Sequence, residues 1–232
     1  MGRVRKFYEH RFRILAGNLA RPPDEFSTEL FCSATDRSKR ERLKYDFALA
    51  LVHADARHAA GETKHFPQKF LCDAGQGGLA RWLRASGYES VWKFDLDDAA
   101  VIREAQRIGA TLVTTDTMMM ERGVLRDGLV PAVCVPSSLN CGEQLAIVFR
   151  ELELLLREPR CMTCGGELCS VPKGVVAARI PPRTALWLDD YFVCAQCHRL
   201  FWHGTHWSRI AEELQKLSKI SERPNGISEP QY

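Results

Sequence analysis

Lys69-Phe70-Leu71-Cys72-Asp73 is a short β-like run that ends in a carboxylate, and the same design recurs downstream. Ser90-Val91-Trp92-Lys93-Phe94 is followed by Asp95, and Thr111-Leu112-Val113-Thr114-Thr115 by Asp116; a further run is Ala132-Val133-Cys134-Val135. Between these runs the apolar spacing turns helical, with Leu79, Trp82 and Leu83, then Ile102, Ala105 and Ile108. Alternation of β-like and helical runs predicts an α/β domain with a parallel sheet flanked by helices over about residues 69–158. A last helix, with Leu145, Val148, Phe149, Leu152, Leu155 and Leu156 on one stripe, is predicted to close it before Pro159.

The carboxylates make this domain chemically interesting. The carboxyl ends of parallel strands line one crevice, the usual place for a ligand. Asp73, Asp95 and Asp116 are predicted there, with Asp97 and Asp98 opening the helix that carries Ile102. Gathered aspartates repel one another unless a cation sits among them, and hard oxygens of this kind suit Mg²⁺ or Mn²⁺. A pair of such ions can activate water and stabilise the leaving oxygen in phosphodiester cleavage. Taken singly, Asp97 or Asp98 is a helix N-cap and Asp95 a turn residue, while Asp73 and Asp116 are loop starters. Arg81 and Arg84 either steer a phosphate towards the carboxylates or cap acidic neighbours on their helix.

Further along, Cys161-Met-Thr-Cys164 and Cys194-Ala-Gln-Cys197 form two C-x-x-C pairs with the spacing of a zinc ribbon. Four thiolates close a tetrahedral structural zinc site, which leaves chemistry to another part of the chain. Tyr191-Phe192-Val193 before the second pair and Arg199-Leu200-Phe201-Trp202 after it predict a β-hairpin. The ribbon is expected over residues 159–222, with a flexible tail at 223–232. Among the remaining cysteines of the nine, Cys32, Cys72, Cys134, Cys141 and Cys169 are odd in number, which favours a reducing, cytoplasmic compartment.

The chain of 232 residues is 45% apolar and carries a net charge of +3, and residues 1–68 hold more than that whole excess. This extension is predicted to be basic and partly helical, with one amphipathic helix from Ser38 to Ala60 whose apolar face is a docking surface. Its cluster Arg37, Lys39, Arg40, Arg42 and Lys44 is a candidate holder of a polyanion. No stretch reaches the roughly 18 apolar residues of a membrane span, and Ile14-Leu15-Ala16 is too short for a secretory signal. The arginine-rich start leaves organellar import open, with Glu9 counting against it.

From Phe70 to about Ile210 the chain resembles the Mut-seven C-terminal RNase family, a PIN-like nuclease domain fused to a zinc ribbon. The resemblance lies in Phe-Leu-Cys-Asp73, Gly77-Gly78-Leu79-Ala80-Arg81-Trp82-Leu83-Arg84, Gly87-Tyr88, Asp98 and Leu112-Val113-Thr114-Thr115-Asp116. It continues through Gln144-Leu145, the first knuckle, Ile180-Pro181 and Cys194-x-x-Cys197 running into Phe201-Trp202-His203-Gly204-Thr205-His206-Trp207. It implies a metal-dependent ribonuclease acting on RNA, alone or within a ribonucleoprotein, with Asp73, Asp98 and Asp116 as catalytic Mg²⁺ or Mn²⁺ ligands. Two positions depart from the family: Glu89 stands where aspartate commonly follows Gly-Tyr, and Thr115 where arginine commonly precedes the last aspartate.

Two other readings are kept. Thr115 makes room for a module that binds RNA without cutting it. Gly75-Gln76-Gly77-Gly78-Leu79-Ala80 also satisfies a relaxed dinucleotide fingerprint, with Asp95 placed as the ribose-binding acid, although Asp73 sets a negative charge beside that loop.

Overall fold

The computed structural model describes residues 2–62 and 66–221; the predicted tail at 223–232 lies outside them. Three helices lead, α1 (Arg3–Asn18), α2 (Pro23–Glu41) and α3 (Tyr45–Ala59). The α/β region follows with β1 (Lys69–Cys72), α4 (Gly77–Ala85), β2 (Glu89–Trp92), α5 (Asp98–Ile108), β3 (Thr111–Thr114), α6 (Gly123–Arg126), β4 (Ala132–Cys134) and α7 (Cys141–Leu152). The C-terminal part holds β5 (Leu168–Val171), α8 (Lys173–Val176), α9 (Pro182–Ala185), β6 (Tyr191–Cys194), β7 (Leu200–Trp202) and α10 (Thr205–Ser221).

The first sheet is parallel in the order β2-β1-β3-β4. Phe70, Leu71 and Cys72 and the whole of β3 are buried, as the two central strands of such a sheet must be. The chain moves from β1 outward to β2 and then returns across β1 to β3. Right-handed crossovers therefore place α4 and α5 on opposite faces and make the β1/β3 boundary the switch point. Helix α5 is closed at both ends by local chemistry: the Asp97 side chain accepts from Ala100 N at 2.7 Å, and Gly109 ends it at φ 61°. Helix α7 opens on a capping box between Asn140 and Glu143. It stops at Leu152 because Glu153 turns left-handed at φ 50°, so Leu155, expected on the helical stripe, is 70% exposed instead.

The N-terminal region departs from the expected single helix. Arg42 at φ 55° breaks the span between α2 and α3, with Leu43 N bonded back to Ser38 O and Ser38 Oγ to Leu43 O. Nor does α3 present one docking face, since every residue from Phe47 to Ala54 is buried. It lies between α1, α2 and α7, and its apolar side chains join the same core as the sheet. A helix buried all round needs apolar residues all round, which the run Phe47-Ala-Leu-Ala-Leu-Val supplies.

Polar groups also join these layers. Glu151 on α7 lies 2.8 Å from His53 Nδ1 and accepts from Arg57 Nη1 at 2.5 Å, both on α3. Burial opposes its charge, yet His53 and Arg57 bring its carboxyl down from 4.5 to about 2. A folded-state value below the unfolded one contributes stability that is complete above pH 4.5 and disappears as pH falls towards about 2. Glu151→Gln removes the buried carboxylate that His53 and Arg57 share, leaving Arg57 only its longer contact to Glu62 at 3.3 Å, and is expected to cost about 3 kcal/mol at neutral pH. Urea unfolding of both proteins at pH 7 and pH 3 should show the gap narrowing at the lower pH.

The C-terminal sheet is antiparallel, β5-β6-β7, and includes the expected hairpin across the second cysteine pair. Its own core is small: Val176, Ile180 and Tyr191 are buried, with a few half-buried neighbours. By contrast Ile210, Leu214 and Leu217 of α10 belong to the main core, where α10 packs on α7.

Candidate functional site

Asp73 and Asp116 leave the carboxyl ends of β1 and β3, the two strands at the switch point. Thr114, the last residue of β3, links them. Its buried hydroxyl donates to Asp73 Oδ2 at 2.9 Å and accepts from Asp116 N at 3.0 Å. The other Asp73 oxygen accepts from Ala74 N at 2.6 Å, and Asp116 Oδ1 accepts from Met118 N at 2.7 Å and Met119 N at 3.3 Å. Both carboxylates are thus oriented by backbone and hydroxyl donors, with no cationic side chain bound to either among the described residues. Sequence reasoning missed Thr114. The signal was there, as a hydroxyl residue directly after Leu112-Val113 and two positions before an aspartate.

Asp98 takes the first position of α5, and its Oδ2 accepts from Arg122 Nη2 at 3.0 Å. Both side chains are 45% exposed, so this is a solvated pair of small energetic weight. Arg122 was likewise missed, because it lies in the turn between Met118–Met120 and α6 and reaches Asp98 only through the fold. Asp97 is the α5 N-cap and Asp95 an exposed bend, the local roles weighed for each. The donor chemistry of Asp73, Asp116 and Asp98 fits a hard divalent cation. Their oxygens are not drawn together into one ligand set, however; among the described residues only the four cysteines form such a group.

Arg81 is exposed and has no carboxylate partner among the described residues. The structure corrects the reading of Arg84 as a phosphate contact. Arg84 is 8% exposed and donates from Nε to Ser90 O at 2.8 Å and from Nη1 to Met162 O and Thr163 O at 3.1 and 2.9 Å. These bonds tie α4 and β2 to the first cysteine knuckle. That knuckle turns through Gly165 at φ 85°, where a side chain would be strained and would meet the Arg84 guanidinium at 3.5 Å.

The sulfur atoms of Cys161, Cys164, Cys194 and Cys197 all lie within 4.8 Å of one another. Backbone N–H groups of Gln196 and Cys197 point at Cys194 Sγ, 3.4 and 3.5 Å away. Four converging soft ligands form a group that could hold zinc, and no fifth position is offered for a substrate. The two tryptophans after the knuckle are used in packing, while His203 and His206 are exposed. Trp202 packs against the small core and Trp207 against the main one, and His203 stacks on Trp207 with ring centres 5.7 Å apart.

The glycine-rich loop has a reason of its own. A Cβ on Gly77 would meet the Trp92 ring at 2.8 Å, and Trp92 Nε1 donates to Ala74 O at 2.9 Å. These contacts brace the turn behind Asp73, and the Asp73 carboxylate already occupies the amide that opens it. A pyrophosphate would meet that charge directly, so the dinucleotide reading has no support here.

The N-terminal basic cluster is largely consumed by ion pairs. Arg37 contacts Glu41 and Asp55, Arg40 contacts Glu41, and Lys44 contacts Glu143; Lys39 and Arg42 have no carboxylate partner among the described residues.

The family described as the Mut7-C RNAse domain matches residues 68–214, a span that holds the sheet, all three aspartates and all four cysteines. The chain belongs to this family. No curated protein and no solved structure matches it. Mut7-C membership points to a nuclease or RNA-related function, and the match begins at β1, leaving the three N-terminal helices outside it. No helix among the described residues is long and apolar enough to cross a membrane.

Proposed function

We infer that this Mut7-C protein is a divalent-metal-dependent ribonuclease acting in the crevice at the carboxyl ends of β1 and β3. The observation that carries the reading is the pair Asp73 and Asp116, joined through Thr114 at the switch point of the sheet. Together with Asp98, released from Arg122, they would hold Mg²⁺ or Mn²⁺, whose chemistry is to make water a better nucleophile and to offset charge on the leaving oxygen. The chain's own groups do the positioning. Ala74 N and the Thr114 hydroxyl fix Asp73, the Met118 and Met119 amides fix Asp116, and Arg122 becomes available to a phosphate oxygen when Asp98 turns away. Arg81 is the candidate contact on α4, since a guanidinium offers paired donors to phosphate.

The four thiolates would hold a structural zinc that stiffens the C-terminal sheet. RNA, alone or in a ribonucleoprotein, is the proposed partner. The cysteines are all free, as suits a reducing compartment such as the cytoplasm.

One observation favours a second reading. Asp98 is paired with Arg122 and the three carboxylates are not gathered, an arrangement that suits an RNA-binding module without catalysis. A panel of labelled RNAs incubated with Mn²⁺ and with chelator separates the two. The ribonuclease reading expects cutting that Mn²⁺ supports and chelator stops; binding without cutting under either condition would establish the module instead.

A further inference from the structure

A cavity of about 610 Å³ lies between α1, α3 and β4, the edge strand of the parallel sheet, and its lining includes none of the three aspartates. Its size is that of a small-molecule site. Much of the wall is apolar, including Phe7, Ile14, Phe66, Met120 and Val133. Among these stand two polar groups whose bonding capacity the protein leaves unused. The Tyr8 side chain is only 2% exposed and lines the cavity, and its hydroxyl has no protein hydrogen-bond partner among the described residues. Arg11 lies over the Phe7 ring at 5.2 Å and has no carboxylate partner among the described residues. The two stand three positions apart on α1 and so share a face of that helix.

The acids that line the cavity are already engaged. Glu151 is held by His53 and Arg57, and Glu62 by Asn18 and Arg57. What remains open is a cation and a hydroxyl donor beside an apolar wall. A hydroxyl that opens onto a cavity without a protein partner is left to water or to a ligand atom, and the apolar wall around it suits a ligand with an apolar body.

We propose that this cavity binds a small carboxylate with an aromatic or aliphatic body, its head held by Arg11 and Tyr8 and its body by the apolar wall. One guanidinium fork and one hydroxyl match the two oxygens of a planar monoanion. A phosphate dianion would bring a second charge that no free group here offsets. Burial pushes the Tyr8 hydroxyl well above the usual tyrosine range, so it stays protonated and donates.

The test compares 2-naphthoate with its neutral isostere 2-naphthamide, binding being followed by ligand-observed NMR and calorimetry on the full chain. Naphthoate is expected to bind at least about tenfold more tightly than the amide, the worth of one charged hydrogen bond. Arg11→Gln should abolish the preference for the acid, and Tyr8→Phe, which keeps the ring, should weaken naphthoate severalfold, with circular dichroism melting checking the fold of each. Should Arg11→Gln fail to fold, the acid–amide comparison on the wild type and Tyr8→Phe decide. Equal affinity for acid and amide, no binding of either, or naphthoate binding undiminished in Tyr8→Phe overturns the assignment. No readout involves RNA, so the outcome is independent of whether the crevice cuts it.

Discussion

Replacing Cys161 or Cys197 by serine is expected to release zinc and to unfold the β5–β7 sheet while α10 stays in place. Three remaining thiolates leave the coordination shell open, and the apparent energy of a structural zinc is about 10–16 kcal/mol. Against that, the small sheet has only Val176, Ile180 and Tyr191 buried in its own core, far too little to stand alone. Helix α10 lies further along the chain but buries Ile210, Leu214 and Leu217 in the main core, so it should keep its protection. Zinc stoichiometry and hydrogen exchange read the two effects separately: fast exchange through β5–β7, slow exchange retained in α10. One tightly held zinc per chain surviving in both variants would remove these cysteines from the metal site. Arg84 adds a consequence. Since it bonds Met162 O and Thr163 O, loss of the knuckle strands a guanidinium at the end of α4, and exchange should also quicken there.

Asp73→Asn and Asp116→Asn should each lower metal-dependent cleavage at least about a hundredfold, the scale on which single electrostatic groups act in active sites. Asparagine keeps the size and one carbonyl oxygen. At position 116 that oxygen can still accept from Met118 N and Met119 N; at position 73 it can still accept from Ala74 N. The fold should therefore persist, and the thermal midpoint should hold. Single-turnover cleavage in Mn²⁺, with melting curves alongside, tests both halves. Unchanged cleavage in both variants would place the activity elsewhere. Loss of cleavage accompanied by unfolding would make the carboxylates structural.

Much of this protein is legible without its tertiary structure, because the signals are local. The order of strands and helices from β1 to α7 follows from the change of apolar period, and the two cysteine pairs each sit in one tight turn. Asp73 and Asp116 could be placed at strand ends because a strand's end is a property of the strand. The break at Arg42 was not legible, since charged residues continue the helical pattern through it and only the packing of α3 between α1, α2 and α7 demands the turn.

What lay beyond the sequence is whatever depends on distant segments meeting. Strand order made β1 and β3 neighbours and so joined Asp73 to Asp116 through Thr114. The fold brought Arg122 to Asp98, and buried Arg84 against a knuckle far along the chain. It also closed a cavity between α1 and β4, where Tyr8 and Arg11 stand beside residues from four other segments. Side-chain periodicity reports which face of an element is apolar, but carries no information on which other element will cover it. That choice is made by the summed packing of the whole core, and with it the partners of every polar group the core encloses.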